Sequence, residues 1–270
     1  MHSHTVSVVD HVPHSLSLLC LLIGADDAYW IKNGLREMAS QYRNWTASFV
    51  THLPLSGDGS SFSVVEDDSG AHFNHSLWCG DKSNALWDDE KGDLSLTARH
   101  WIGGILSHIG AIAAFACPTT NCYGTRFNSP WVSSEANWGR YNRTAIVRVK
   151  PCRNGQNTHF ELRLPSSLSN PYLVMAAVVC AGLDGLKKKT LPPRECRIEM
   201  TDPKERRQCF EHLIPKSLSA ALDALESDTR FVKALDPYFV EFYVRTKRLE
   251  IQEMKDFERS GQKPLFYSML

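Results

Sequence analysis

What this sequence lacks narrows the field first. Its 270 residues carry no net charge, 30 Lys plus Arg balancing 30 Asp plus Glu, so bulk electrostatics points neither to nucleic acid nor to an acidic membrane surface. The one apolar run near the start, Leu16 to Ala25 (LSLLCLLIGA), is too short to span a bilayer as a helix. Residues 1–15 hold no Lys or Arg, and a secretory signal would need a basic segment there. No CxxC pair occurs among the eight cysteines (Cys20, Cys79, Cys117, Cys122, Cys152, Cys180, Cys196, Cys209), whose spread fits reduced thiols of a cytoplasmic protein rather than a disulfide framework. Without a secretory context, the three N-x-[ST] matches at Asn44, Asn74 and Asn142 read as chance. Residues 1–24 contain no Glu, and Asp10 is their only acidic side chain. Neither an internal repeat nor a clean domain boundary interrupts the chain.

What is present is ordinary for a globular protein: 43% hydrophobic and 22% charged residues, enough to bury a full core as one large domain or two small ones. Ala25 to Tyr42 has Ala28, Ile31, Leu35, Met38 and Tyr42 at helical spacing with acidic residues in its first turn. The run TASFVTHLPL alternates as a strand would and stops at a proline. Ser56 to Gly70, rich in Gly, Ser and Asp, reads as a loop. Leu96 to Phe115 predicts one buried helix ending at Cys117-Pro118, and TAIVRV and HFELRL predict two strands joined by the polar turn CRNGQN. In HFELRL, His159, Glu161 and Arg163 fall on one face, and Phe160, Leu162 and Leu164 on the other. Asn170 followed by Pro171 is a helix start, with the Lys187–Lys189 cluster at the solvated far end. The C-terminal third reads as helical.

The stretch Asp67 to Trp78, DDSGAHFNHSLW, places two histidines three residues apart and raises the question of a metal site or a phosphate cradle. Five blocks in order answer it: SGAHFNHSLW, IGGILSHIGAIAAFACPTTNCY, YNRTAIVRV, HFELRLPSSLSNPYL with AGLDGLKKK, and IPKSLSAALDALESD. Together they resemble the catalytic domain of glutamine synthetase from about Ala25 to the C-terminus. The resemblance implies an α+β fold, a half-barrel of antiparallel strands with outer helices, over residues 25–270. It leaves residues 1–24 as an atypical leader, an alternative start or fragment end, and leaves the family's N-terminal β-grasp domain absent.

Residue by residue, the resemblance implies a reduced site. His72 matches a metal-binding histidine and Glu161 a metal-binding glutamate, the alternative for His72 being a histidine that supports the fold. The nucleotide-supporting histidine falls on Asn74, so His75 is out of register and turns to the opposite face; Ser76 matches a serine of the nucleotide pocket. Arg143 and Arg148 match phosphate-binding arginines, and Arg163 a substrate arginine that is equally able to pair with Glu161. Trp131 stands where the family's flap carries a catalytic carboxylate, and indole cannot take a proton from ammonium. Gln156 and His159 replace a basic pair facing ATP, and Asp67-Asp68 replaces an Asn-Gly ahead of the histidine motif.

These losses imply a non-catalytic member closest to the lens branch of the family, the lengsins. That branch implies a cytoplasmic structural or chaperone-like role, with no cofactor expected. Its implied partners are intermediate-filament proteins of the vimentin and lens beaded-filament types, with self-association in the full-length family and no role for nucleic acid or membrane. The alternative is an ATP-dependent ligase, using Mg or Mn, that joins ammonia or another amine to a γ-carboxylate.

Overall fold

A computed structural model describes residues 5–9, 14–43, 45, 47–49, 70–80, 83–123, 133–152 and 155–260. A strand, Thr5–Val9 (β1), precedes a long helix, His14–Ser40 (α1), and the strand Phe73–Trp78 (β2). A small hairpin of Trp87–Asp88 (β3) and Asp93–Leu94 (β4) leads into the helices Leu96–Ser107 (α2) and Ile109–Ala116 (α3). Three strands follow, Trp138–Arg140 (β5), Val147–Lys150 (β6) and His159–Leu162 (β7), and then the helix Pro171–Lys188 (α4). The remainder is helical: Pro203–Arg207 (α5), Leu218–Ser227 (α6), Thr229–Leu235 (α7) and Pro237–Ser260 (α8).

The main sheet has the order β1-β2-β7-β6-β5. Its centre is antiparallel, β2 against β7 and β7 against β6, while the outer pairs β1–β2 and β5–β6 run parallel. Alternation gives the sheet two chemically different faces. Phe73, Leu77, Val147, Val149, Phe160 and Leu162 are buried on one, where they join residues of α2, α3 and α4 in the core. The α+β class and the outer helices agree with the sequence expectation.

Local rules account for the element boundaries. Ser95 caps α2 by accepting from Ala98 N, and Asn170 caps α4 by accepting from Tyr172 N and Leu173 N, with Pro171 at the first helical position. Gly155, with φ of +69°, makes the turn between β6 and β7. Helices α2 and α4 cross at backbone contact: a Cβ on Gly104 would lie 2.2 Å from Ala181 O and 2.8 Å from Gly185 Cα. No side chain fits there.

Three expectations require adjustment. The single helix Leu96 to Phe115 is two helices, because the backbone at His108 leaves the helical region at φ −105° and ψ 8°. There the buried ring is pinned between Asp184 Oδ2 at 3.0 Å and Asp228 Oδ2 at 2.5 Å. Helix α1 begins at His14 and so runs across position 25, where the helical pattern was expected to start. The strand expected in TASFVTHLPL lies mostly outside the described residues, and its described part, 47–49, is not strand.

Candidate functional site

The polar face of the sheet gathers the candidate residues. The register sets Asn74 of β2 opposite Glu161 of β7, and Glu161 opposite Arg148 of β6, so three side chains stand in a row across three strands. Glu161 is buried, with its side chain only 6% exposed, and both of its oxygens are bridged. His72 Nδ1 and Arg163 Nη1 each lie 2.9 Å from Oε1. Arg148 Nη1 at 2.9 Å and Lys150 Nζ at 2.7 Å share Oε2. Lys150 Nζ also donates to Asn74 Oδ1 at 2.9 Å. Burial alone would raise the Glu161 pKa. The hydrogen bonds from His72 and Lys150 and the Lys150 charge outweigh that and hold the carboxyl well below the usual range. The Arg163 pKa is lowered as well. Burial lowers its pKa, the Glu161 charge partly restores it, and the neighbouring charges of Arg148 and Arg143 lower it further.

Arg143 sits at the rim, exposed, on a turn fixed by Asn142. That asparagine is fully buried. Its Oδ1 accepts from Thr144 N and Thr144 Oγ1, and its Nδ2 donates to Cys196 O. The burial of Asn74 and Asn142 also closes two of the three N-x-[ST] matches to glycosylation in the folded chain. Ser76 lies two residues past Asn74 on β2, buried, and its Oγ accepts from Trp78 Nε1 at 2.8 Å.

The two-histidine pattern divides as the strand register requires. His72 joins the polar cluster. His75 points into the core, where its Nε2 accepts from Trp101 Nε1 at 2.9 Å and its ring stacks on Phe73 at 5.0 Å. Burial, offset in part by a backbone hydrogen bond at Phe73, pushes its pKa down to about 3, so it is a neutral core histidine. Trp131, Asp67 and Asp68 lie outside the described residues, and Gln156 is exposed in the β6–β7 turn. Lys150 is the member of the cluster that sequence inspection passed over. The signal for it was the continued alternation of Arg148 and Lys150 with Val147 and Val149.

Around one carboxylate the sheet therefore assembles Arg148, Lys150 and Arg163, with Arg143 at the rim. Guanidinium forks and an ammonium are groups that suit the oxygens of phosphate or carboxylate. No group of three or more His, Cys, Asp or Glu side chains able to hold a metal occurs among the described residues. A hard divalent cation takes about six or more oxygens.

The family model for the glutamine synthetase catalytic domain matches residues 17–261. The chain belongs to the glutamine synthetase family. Among its relatives, the glutamine synthetase of Streptomyces viridochromogenes is 33% identical over 255 residues, covering 92% of this chain and 51% of the relative. The glutamine synthetase of Methanocaldococcus jannaschii is 36% identical over 191 residues, covering 69% of this chain and 42% of the relative. Human lengsin is 30% identical over 237 residues, covering 84% of this chain and 42% of the relative. Two solved structures of GmaS, one without ligand and one an ADP complex, each match with a TM-score of 0.72 at 28% identity over 87% of this chain, which covers 51% and 52% of theirs. The chain spans about half the length of the curated relatives it matches.

These matches correct the expectation of a degenerate, non-catalytic protein. Relatives named glutamine synthetase stand at 33% and 36% identity, and GmaS provides its structural neighbours. The physical reason for the error lies in the positions that carried it. Trp131 and Asp67-Asp68 lie outside the described residues, and Asn74, where the resemblance sets a nucleotide-supporting histidine, has the Lys150 ammonium bonded to its Oδ1 from β6, across β7. Among the described residues, no helix is long and apolar enough to cross a membrane.

Proposed function

We propose that this chain is the catalytic-domain portion of an ATP-dependent carbon–nitrogen ligase that joins ammonia or a small amine to the γ-carboxyl group of glutamate. In such a reaction a γ-carboxylate oxygen attacks the terminal phosphorus of ATP and ADP leaves. The amine nitrogen then attacks the acyl carbon, gives up a proton, and phosphate leaves. The observation that carries the proposal is the row Asn74–Glu161–Arg148 with Lys150 and Arg163 bonded to the same carboxylate. It presents several cationic donors on one sheet face, where charge on a transferring phosphoryl group would be stabilised. The structural neighbour solved with ADP supports a nucleotide as the ligand class.

Arg148 and Arg163 would hold the phosphoryl and carboxylate oxygens, with Arg143 closing the rim and Ser76 beside the nucleotide. Among the described residues, no group of three or more His, Cys, Asp or Glu side chains completes a divalent-cation shell around His72 and Glu161. Intermediate-filament partners follow only from the lens branch, which at 30% identity is matched no better than the enzymes, and they form no part of the proposal.

The test is ADP release by the full chain with ATP and magnesium or manganese, in the presence and absence of glutamate and of ammonia or methylamine. ADP formation that requires both glutamate and an amine, and that falls about a hundredfold in Arg163→Ala, is the expected result. Hydrolysis of ATP indifferent to glutamate and amine, or no turnover with either amine, overturns the proposal.

A further inference from the structure

We propose that Lys150 is a built-in cation of this site, bridging Asn74 and Glu161 and holding the phosphates of a nucleotide without a resident divalent metal on Glu161. The inference rests on the nucleotide assignment above and goes beyond it in naming the group that meets the phosphates.

Glu161 has little capacity left for a further partner. A carboxylate offers about four lone-pair positions. Those of Glu161 are taken in pairs, His72 and Arg163 on Oε1, Arg148 and Lys150 on Oε2, all at 2.7–2.9 Å. A divalent cation could reach this carboxylate only by displacing one of the four. Among the described residues no third acidic, histidine or cysteine side chain joins His72 and Glu161 to replace what would be displaced.

Lys150 is differently placed. Its ammonium has three donors, and Glu161 Oε2 and Asn74 Oδ1 engage two of them. The side chain is 25% exposed, so the ammonium is not sealed into the sheet. Its strand position fixes this geometry. Lys150 lies two residues past Arg148 on the same face of β6, and its long stem reaches back diagonally over β7 to Asn74 on β2. A shorter side chain at 150 would not cross that distance.

Among the described residues, Arg148, Lys150 and Arg163 bridge one carboxylate and Arg143 stands near Arg163, an excess of three positive charges. The Nε of Arg148 is buried and has no hydrogen-bond partner among the described residues. A polyphosphate supplies the anionic oxygens that such a cluster lacks.

The experiment is isothermal titration of the full chain with ADP and, separately, with inorganic pyrophosphate, each in EDTA and in magnesium. Wild type is expected to bind ADP in EDTA within about threefold of its affinity in magnesium. Lys150→Met should lose at least tenfold in EDTA, and Lys150→Arg should retain most of the affinity. Thermal melting separates a folding defect from a lost contact, with Lys150→Gln as the second variant. Binding by wild type only in magnesium, or unchanged metal-free binding in folded Lys150→Met and Lys150→Gln, overturns the role of Lys150 and leaves the ligase proposal standing. Pyrophosphate binding that depends on Lys150 while ADP does not bind under either condition overturns the nucleotide assignment and keeps Lys150 as an anion cation. Absence of binding of both overturns both.

Discussion

Glu161 and His75 stand on neighbouring strands and show how one residue's depth decides its chemistry. Glu161 is stabilised as an anion by four donors, so its charge is part of the fold as well as of the site. Glu161→Gln leaves those donors facing each other across a buried position and should cost about 3 kcal/mol at neutral pH. Because the folded carboxyl is held below its ordinary value, this stabilisation is full above an unfolded value of about 4.3 and is lost as pH falls through the folded one. Urea denaturation of both proteins at neutral and acid pH measures it. Equal stability at neutral pH would contradict the four-donor geometry. His75 runs oppositely to a surface histidine. Its folded pKa of about 3 means that the unfolded chain binds the proton first, so wild type should lose stability as pH falls from the ordinary imidazole range toward that value. His75→Gln keeps an acceptor for Trp101 Nε1 and cannot titrate, so its acid slope should be shallower. Parallel slopes would place the ring outside the core.

Between elements, the fold depends on two devices that bring helices together. The α2–α4 crossing has no room for a side chain at Gly104. Gly104→Ala should therefore lower stability by about 1–3 kcal/mol through overpacking, despite the higher helix propensity of alanine. A midpoint equal to or above wild type would show that the helices do not approach this closely. The second device is His108, which breaks the α2–α3 run and ties it to Asp184 on α4 and to Asp228, the N-cap of α7. Burial opposes a charged ring there, but hydrogen bonds to Asp228 and Asp184 outweigh it and raise the pKa. A raised folded value gives stabilisation that is full below about 6.5, the unfolded value, and is lost as pH rises through the folded one. The melting difference between wild type and His108→Gln should accordingly be largest in mildly acid buffer and shrink in alkaline buffer. A difference independent of pH would mean that the ring is neutral and merely packed against Phe231.

For the molecule as a whole, zero net charge conceals a basic cluster on one face of the sheet. Anions should find the chain by this local excess, with little help from its overall field. Raising ionic strength from roughly 0.1 M to 1 M shortens the Debye length from about 10 Å to about 3 Å, so ADP or pyrophosphate affinity should fall steeply across that range. Arg143→Ala should flatten the dependence, because Arg143 is the exposed member of the cluster and feels screening most. A salt-insensitive affinity would locate binding away from these side chains.

Much of this protein is legible in one dimension. Period-two alternation in HFELRL separates Glu161 and Arg163 from Phe160 and Leu162, because successive side chains on a strand point to opposite faces. The same rule sends His75 to the core and Asn74 to the polar face of the sheet, and Asn170-Pro171 marks the start of α4. These are local facts, set by backbone geometry within a few residues. The break at His108 was not legible, since Asp184 and Asp228 come from 76 and 120 residues further along. Nor was the convergence of four donors on Glu161, which depends on the register of β2, β6 and β7. Lys150 shows the division most plainly. Its residue type and strand face belong to the sequence, but its partnership with Asn74, 76 positions away, exists only because β7 lies between them in the sheet. An ammonium on a flexible stem has no fixed partner until the chain folds, and the tertiary structure chose one.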